Sequence, residues 1–237
     1  MKILFTAIFA LKKDKTMANI LRPVIMSILV LLIFNACKES KSEERKEITM
    51  ENNISDSLET AVFGSGCFWC TEAIFERVKG VKSVVSGYAG GNVENPTYEQ
   101  VCNKNTGHAE VVKITYDPAV ISYDELLEIF WKTHDPTTLN RQGNDVGPQY
   151  RSIILYKDEY QKERAEYYKQ KLNESGAWNK PIVTEIVKLD KFYQAESYHQ
   201  DYYEKNPDQG YCAFVIGPKV EKFEKVFKDK LRENQGR

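Results

Sequence analysis

Two cysteines stand three residues apart with a phenylalanine and a tryptophan between them, in the stretch Gly64-Ser65-Gly66-Cys67-Phe68-Trp69-Cys70-Thr71-Glu72-Ala73-Ile74-Phe75. Ionised cysteine sulfur is a soft nucleophile. The run Thr60-Ala61-Val62-Phe63 before the stretch is strand-like. After it, Ala73, Ile74, Phe75 and Val78 recur at helical spacing, with Gly80 at the expected C-cap. Cys67 is thus expected at a strand-to-helix turn, where unpaired N–H groups favour a thiolate. Phe68 and Trp69 would wall a small apolar pocket beside the sulfur. A dinucleotide-binding turn is rejected, because Trp69 stands where the third small residue of that motif belongs. The second reactive candidate is Glu110. It opens a run in which Glu110, Val112, Ile114 and Tyr116 share one face at period two. Burial on such a face raises a carboxyl's pKa and leaves a proton donor at neutral pH.

Gly66-Cys67-Phe68-Trp69 resembles the signature of peptide methionine sulfoxide reductases of the A type. Further blocks agree, in the family's order: Gly87-Tyr88-Ala89-Gly90-Gly91, Asn95-Pro96-Thr97-Tyr98, Gly107-His108-Ala109-Glu110, His134-Asp135-Pro136, Arg141-Gln142-Gly143-Asn144-Asp145, Gln149-Tyr150-Arg151-Ser152, and Asn206-Pro207 before Gly210-Tyr211-Cys212. The resemblance covers residues 59–217. It implies reduction of methionine S-sulfoxide, in proteins and as the free amino acid, by a monomer without metal or organic cofactor. Cys67 would attack sulfur and Glu110 would protonate the leaving oxygen. Tyr98 and Tyr150 would hydrogen-bond that oxygen, Asp145 would position the substrate, and Phe68 and Trp69 would hold its ε-methyl. Attack leaves a sulfenic acid, which condenses with a second thiol. The disulfide would be recycled by a thioredoxin-like donor.

Which thiol resolves stays open between Cys70 and Cys212. Cys212 matches the family's resolving cysteine. Cys70 stands where most family members carry Gly. Its place three residues on puts its Cβ about 5–6 Å from that of Cys67; a disulfide wants about 3.8 Å, so the helix start must tighten. The chain departs from the family in having no cysteine after Cys212. Cys102 has no evident role. Two rival readings remain: a thiol-disulfide oxidoreductase using Cys67-x-x-Cys70, and a binding module whose cysteines are structural or hold zinc. His108, His134 and His199 are scattered and show no metal-ligand spacing.

These residues need a frame. Strands are expected at residues 60–63, 81–85, 110–116, 151–156 and 182–189. Helices are expected at 70–79, 123–133, 159–174, 195–205 and 219–231. Ser122-x-x-Glu125 is a capping box, and Gly176 closes the third helix. Val220, Phe223, Val226, Phe227 and Leu231 form one stripe of the last helix. Mixed order and short links predict an α/β two-layer sandwich with a mixed β-sheet core and flanking helices, plus a C-terminal amphipathic helix at residues 218–237. The 33 basic and 34 acidic residues argue against a nucleic-acid footprint.

Residues 1–36 read as an export signal. Arg22 precedes an apolar run of 11 residues, Val24 to Phe34, too short to span a bilayer, which takes about 20. Met17 would open a signal of ordinary length. Asn35-Ala36-Cys37 resembles the cleavage site of a bacterial lipoprotein, with Cys37 lipidated. Residues 37–58 are polar and charge-dense and read as a disordered tether. The expected location is the bacterial cell envelope, exported and lipid-anchored.

Overall fold

Apolar residues at period two build the sheet. The computed structural model describes residues 58–233. Among them are β1 (Glu59–Ser65), β2 (Val81–Ala89), β3 (Ala109–Tyr116), β4 (Arg141–Gln142), β5 (Asp145–Val146), β6 (Ser152–Tyr156), β7 (Glu185–Lys188) and β8 (Phe192–Gln194). Six strands form one sheet in the order β7-β6-β1-β3-β2-β8, while β4 and β5 pair as a separate hairpin. The large sheet is mixed. β6 and β7 run parallel and every other pair is antiparallel. The α/β architecture with a mixed sheet is therefore as expected.

The helices are α1 (Phe68–Phe75), α2 (Tyr98–Cys102), α3 (Tyr123–Thr133), α4 (Glu159–Glu174), α5 (Tyr202–Lys205) and α6 (Gly217–Val226). Ala61 and Phe63 of β1, Val112, Ile114 and Tyr116 of β3, and Ile154 of β6 pack with α1, α3, α4 and α6 in the main core. The opposite face carries a smaller cluster: Val62, Ala89, Ala109, Val111, Ile153 and Leu155. Both faces of β3 are thus buried. Fixing its register against β1, with Phe63 opposite Val112, fixes which face Glu110 meets.

Several boundaries move. α1 ends at Phe75, with Glu76 as its C-cap, rather than reaching Gly80. Val78 bridges Leu231 instead, and Gly80 adopts φ +88° in the turn into β2. The strand expected at 182–189 is confined to β7. The helix expected at 195–205 is mostly absent: a 3₁₀ turn at Ser197–His199 precedes the four-residue α5. Its start is drawn away by β8, which pairs with β2 through Tyr88 and Tyr193. The Gln200 side chain then bonds both backbone groups of Ser86. The last helix starts earlier than expected, continuing from a π-helical turn at Cys212–Ile216, and gives way at Phe227. Val220, Phe223 and Phe227 join the core, whereas Val226 is exposed. The capping box of α3 and the left-handed Gly176 stand as expected. The expected signal, the lipidated Cys37 and all but the last residue of the tether lie outside the described residues. Among the described residues no helix is long and apolar enough to cross a membrane.

Candidate active site

Gly66 makes the turn that presents Cys67. Its φ is +98°, and a Cβ there would stand 2.7 Å from Gln142 of β4. Only glycine meets both demands. Cys67 follows as the N-cap of α1. The Gln142 amide clasps the backbone of Asp135, which seats the β4–β5 hairpin against the turn.

Glu110 reaches this turn from β3. It is 1% exposed, and Oε2 accepts a hydrogen bond from the Phe68 N–H at 3.1 Å. Burial pushes its carboxyl up to about 8; the Phe68 bond opposes this, and the nearby charges of Asp145 and Cys70 add to it. At neutral pH Glu110 is protonated.

The thiols depart from expectation. Burial pushes the Cys67 thiol well above its ordinary value, aided by its hydrogen bond to Cys70 and by the negative potential of Glu110. Cys70 moves the other way, to about 7. The hydrogen bond from Cys67 is the largest cause, and Lys219 adds to it against burial. The helix-start N–H groups thus do not leave a thiolate on Cys67. Cys67 donates to Cys70, which favours negative charge on Cys70 over Cys67. Burial raises both thiols, but at Cys70 the hydrogen bond from Cys67 and the Lys219 ammonium outweigh it. Lys219 Nζ stands 3.5 Å from Cys70 Sγ.

Around the pair the remaining predicted residues converge, with different partners from those foreseen. Phe68 is buried, 6.0 Å from the Tyr88 ring and 5.0 Å from the His199 ring. Trp69 is half-buried, stacked on Tyr202 at 3.7 Å and 6°, and donates its indole N–H to His199 Nδ1 at 3.2 Å. Burial lowers the pKa of His199, which suits that acceptor role. Tyr98 opens α2, and its hydroxyl donates to Cys102. Its backbone N–H is held by Glu196 at 2.9 Å. Tyr150 closes a 3₁₀ turn at Pro148–Tyr150. Burial raises both phenols above their ordinary range, aided at Tyr98 by its hydrogen bond to Cys102 and at Tyr150 by the charge Glu110 would carry when ionised, so each keeps its proton. Asp145 accepts the Tyr211 hydroxyl at 2.7 Å, and that hydroxyl lies beside the cysteine pair, where it lowers both thiols slightly. Cys212 is fully buried, within electrostatic range of Cys70.

Neither His108 nor His134 joins the site. His108 takes the Gly91 N–H and meets the Val93 carbonyl. His134 bridges the Phe130 carbonyl and Ser152 at 2.7 Å each. Sequence reasoning missed Lys219, Tyr211, Glu196 and His199. Tyr211 borders Cys212 and was the most reachable of them. Lys219 looked like one lysine among many on a charged helix.

A neutral carboxyl beside a sulfur pair, with two protonated phenols and an aromatic wall, can protonate an oxygen while sulfur attacks. Comparison with known proteins agrees. A family model described as peptide methionine sulfoxide reductase matches residues 59–231. Peptide methionine sulfoxide reductase MsrA of Sulfolobus acidocaldarius is 60% identical over 177 residues, covering 73% of this chain and 97% of that protein. That of Nautilia profundicola is 61% identical over 166 residues, covering 70% and 94%. The solved methionine sulfoxide reductase A of Corynebacterium diphtheriae superposes with a TM-score of 0.58 at 40% identity, over 64% of this chain and 76% of that one. With the likeness spanning the whole described fold, the chain belongs to the peptide methionine sulfoxide reductase family.

Proposed function

We propose that the chain reduces methionine S-sulfoxide with Cys67 as nucleophile and Glu110 as general acid, in proteins and as the free amino acid. The observation that carries this reading is the protonated Glu110 held 3.1 Å from the Phe68 N–H, next to the nucleophile in the chain. A sulfoxide oxygen leaves only after protonation. Tyr98 and Tyr150 donate to that oxygen without adding charge beside sulfur. Tyr98 gives up its bond to Cys102 to do so. As Cys67 attacks, its proton passes to Cys70, which already accepts its hydrogen bond. Methionine and a Cys67 sulfenic acid result. A second thiol condenses with it, releasing water, and a thioredoxin-like dithiol reduces the disulfide. Phe68 and Trp69 receive the methyl group, and the rigidity of that wall decides the epimer. A Cys67-x-x-Cys70 disulfide oxidoreductase would leave the buried acid without a task. The test is to incubate the reduced protein with both epimers of methionine sulfoxide. Loss of the S epimer alone supports the reading; loss of both, or of neither, sinks it.

The location belongs to the same reading. Cys37 carries lipid and holds the enzyme at the bacterial envelope, with residues 38–57 as its tether. One acyl chain binds a membrane only marginally, and stable anchoring takes a second, as a lipoprotein modification supplies. Mass spectrometry of the N-terminal peptide from membrane-purified protein should find lipid on Cys37. An unmodified Cys37 there means that the signal is misread.

A further inference from the structure

We propose that Lys219 is a positioning residue for the second chemical step, holding Cys70 as the anion that attacks the sulfenic acid on Cys67. The inference rests on the reading above and deepens it, by assigning the resolving thiol to Cys70 and its activation to an ammonium.

The geometry is local. Lys219 lies on the first turn of α6, behind Pro218, and its Nζ stands 3.5 Å from Cys70 Sγ. Among the described residues no carboxylate lies in ion-pair range of that ammonium. A half-buried cation without an acidic partner, aimed at a buried sulfur, is placed to stabilise a thiolate. Other groups act on Cys70 too. Cys67 on α1 donates to it, and Tyr211 ahead of the π-helical turn lies beside it. Glu110 on β3 and Cys212 in the π-helical turn lie within its electrostatic range. Of these only Lys219 brings positive charge. The Cys70 thiol descends to about 7, through the hydrogen bond from Cys67 first and through Lys219 next, against burial. Cys212 has no such help: burial raises its thiol, and Cys70 raises it further.

The step balances. Cys70 first gives up the proton it took from Cys67, a loss the ammonium beside it favours; its sulfur then attacks Cys67 sulfur, the S–S bond forms and the S–O bond breaks. Two electrons pass from the Cys70 thiolate to the sulfenic sulfur. Hydroxide departs and takes a proton to become water.

An ordinary thiol, near pKa 8.5, is about 3% ionised at pH 7, against about half for one near 7. That loss of roughly 15-fold in thiolate is partly offset because a more basic thiolate is the better nucleophile, with a Brønsted slope near ~0.4–0.5. The hydrogen bond from Cys67 accounts for the larger share of the shift, so removing the ammonium should move the midpoint of the step's pH profile upward and slow it at pH 7 by at most roughly threefold.

The experiment uses the full chain, reduced and freed of reductant, mixed with methionine sulfoxide across a pH series. Samples are trapped with dimedone and alkylating reagent, and peptide mass spectrometry counts Cys67 sulfenic acid against the Cys67–Cys70 disulfide. Wild type, Lys219→Met and Lys219→Arg are compared. A raised midpoint in the Met variant, restored by Arg, is the expected result. A Met profile coincident with wild type, or an Arg profile coincident with Met, overturns the proposal. So does a first disulfide joining Cys67 to Cys212. Methionine released in a burst by wild type tests the parent reading separately. Without that burst both fall.

Discussion

Cys67 and Glu110 divide the chemistry at the scale of single residues, and each can be removed without changing shape. Cys67→Ser should abolish turnover, because a hydroxyl cannot hand its proton to Cys70 at neutral pH and is a poor nucleophile for sulfur. A steady-state assay settles it, and residual turnover within about tenfold of wild type would sink the assignment; that is well short of what nucleophile removal costs. Glu110→Gln should lower the rate by about 10²–10⁴, the usual worth of a general acid. The pH dependence carries the sign. Glu110 is protonated below about 8, so wild-type activity from this group falls as pH rises through that value. Gln has no proton to lose, so the variant lacks that limb and its defect shrinks at high pH. It shrinks at low pH as well, where solvent protonates the oxygen. Parallel pH–rate curves for the two proteins would make Glu110 a positioning residue only.

At the scale of elements, the turn between β1 and α1 and the strap that closes over it decide the geometry. Gly66→Ala should cut kcat several-fold and lower Tm. The new methyl group meets Gln142 at 2.7 Å, and φ +98° costs a non-glycine residue about 1–2 kcal/mol. Unchanged kinetics in that variant would show that the turn does not set the sulfur. This turn was legible in the sequence because glycines and aromatics at a strand end are locally determined. So was Glu110, whose period-two neighbours announced a buried face. The segment after Lys191 was not. Ala195 to Lys205 carries apolar and aromatic residues at helical spacing, yet β8, the Gln200 side chain and the left-handed Asp201 hold it open as a strap. Those contacts join Gln200 to Ser86 and Tyr202 to Glu72, more than a hundred residues apart. No local pattern encodes them. Part of what lowers the Cys70 thiol was hidden for the same reason, since Lys219 arrives from 149 residues away.

The whole molecule holds its sheet and helices together over carboxyls that prefer to stay neutral, and its stability should follow pH accordingly. Burial pushes Glu72 up to about 7, and burial with the neighbouring charge of Glu72 pushes Glu76 up to about 8. Glu110 lies near 8 as well. Each folded value is above the unfolded one, near 4.3. Their contribution is therefore fully present below the unfolded pKa and is lost as pH rises through about 7 to 8. His134 acts in the opposite sense. Burial lowers it to about 4, below the unfolded value near 6.5. The unfolded chain binds its proton first, so stability from this group is present above about 6.5 and lost as pH falls toward 4. Between about pH 4.3 and 6.5 three carboxyls lose more than a single histidine gains, so the two limbs together predict a Tm that declines from about pH 5 to 8 and levels off above. Glu72→Gln keeps one acceptor for the Ser86 hydroxyl, which bonds Glu72 at 3.0 Å, but carries no charge to bury. Its Tm should fall less than that of wild type between about pH 5 and 7, the window between the unfolded and folded values of Glu72, as followed by circular dichroism. A wild-type Tm that stays level from about pH 5 to 8 would mean that these carboxyls ionise without cost. The neutral acid required beside Cys67 would then lose its physical basis.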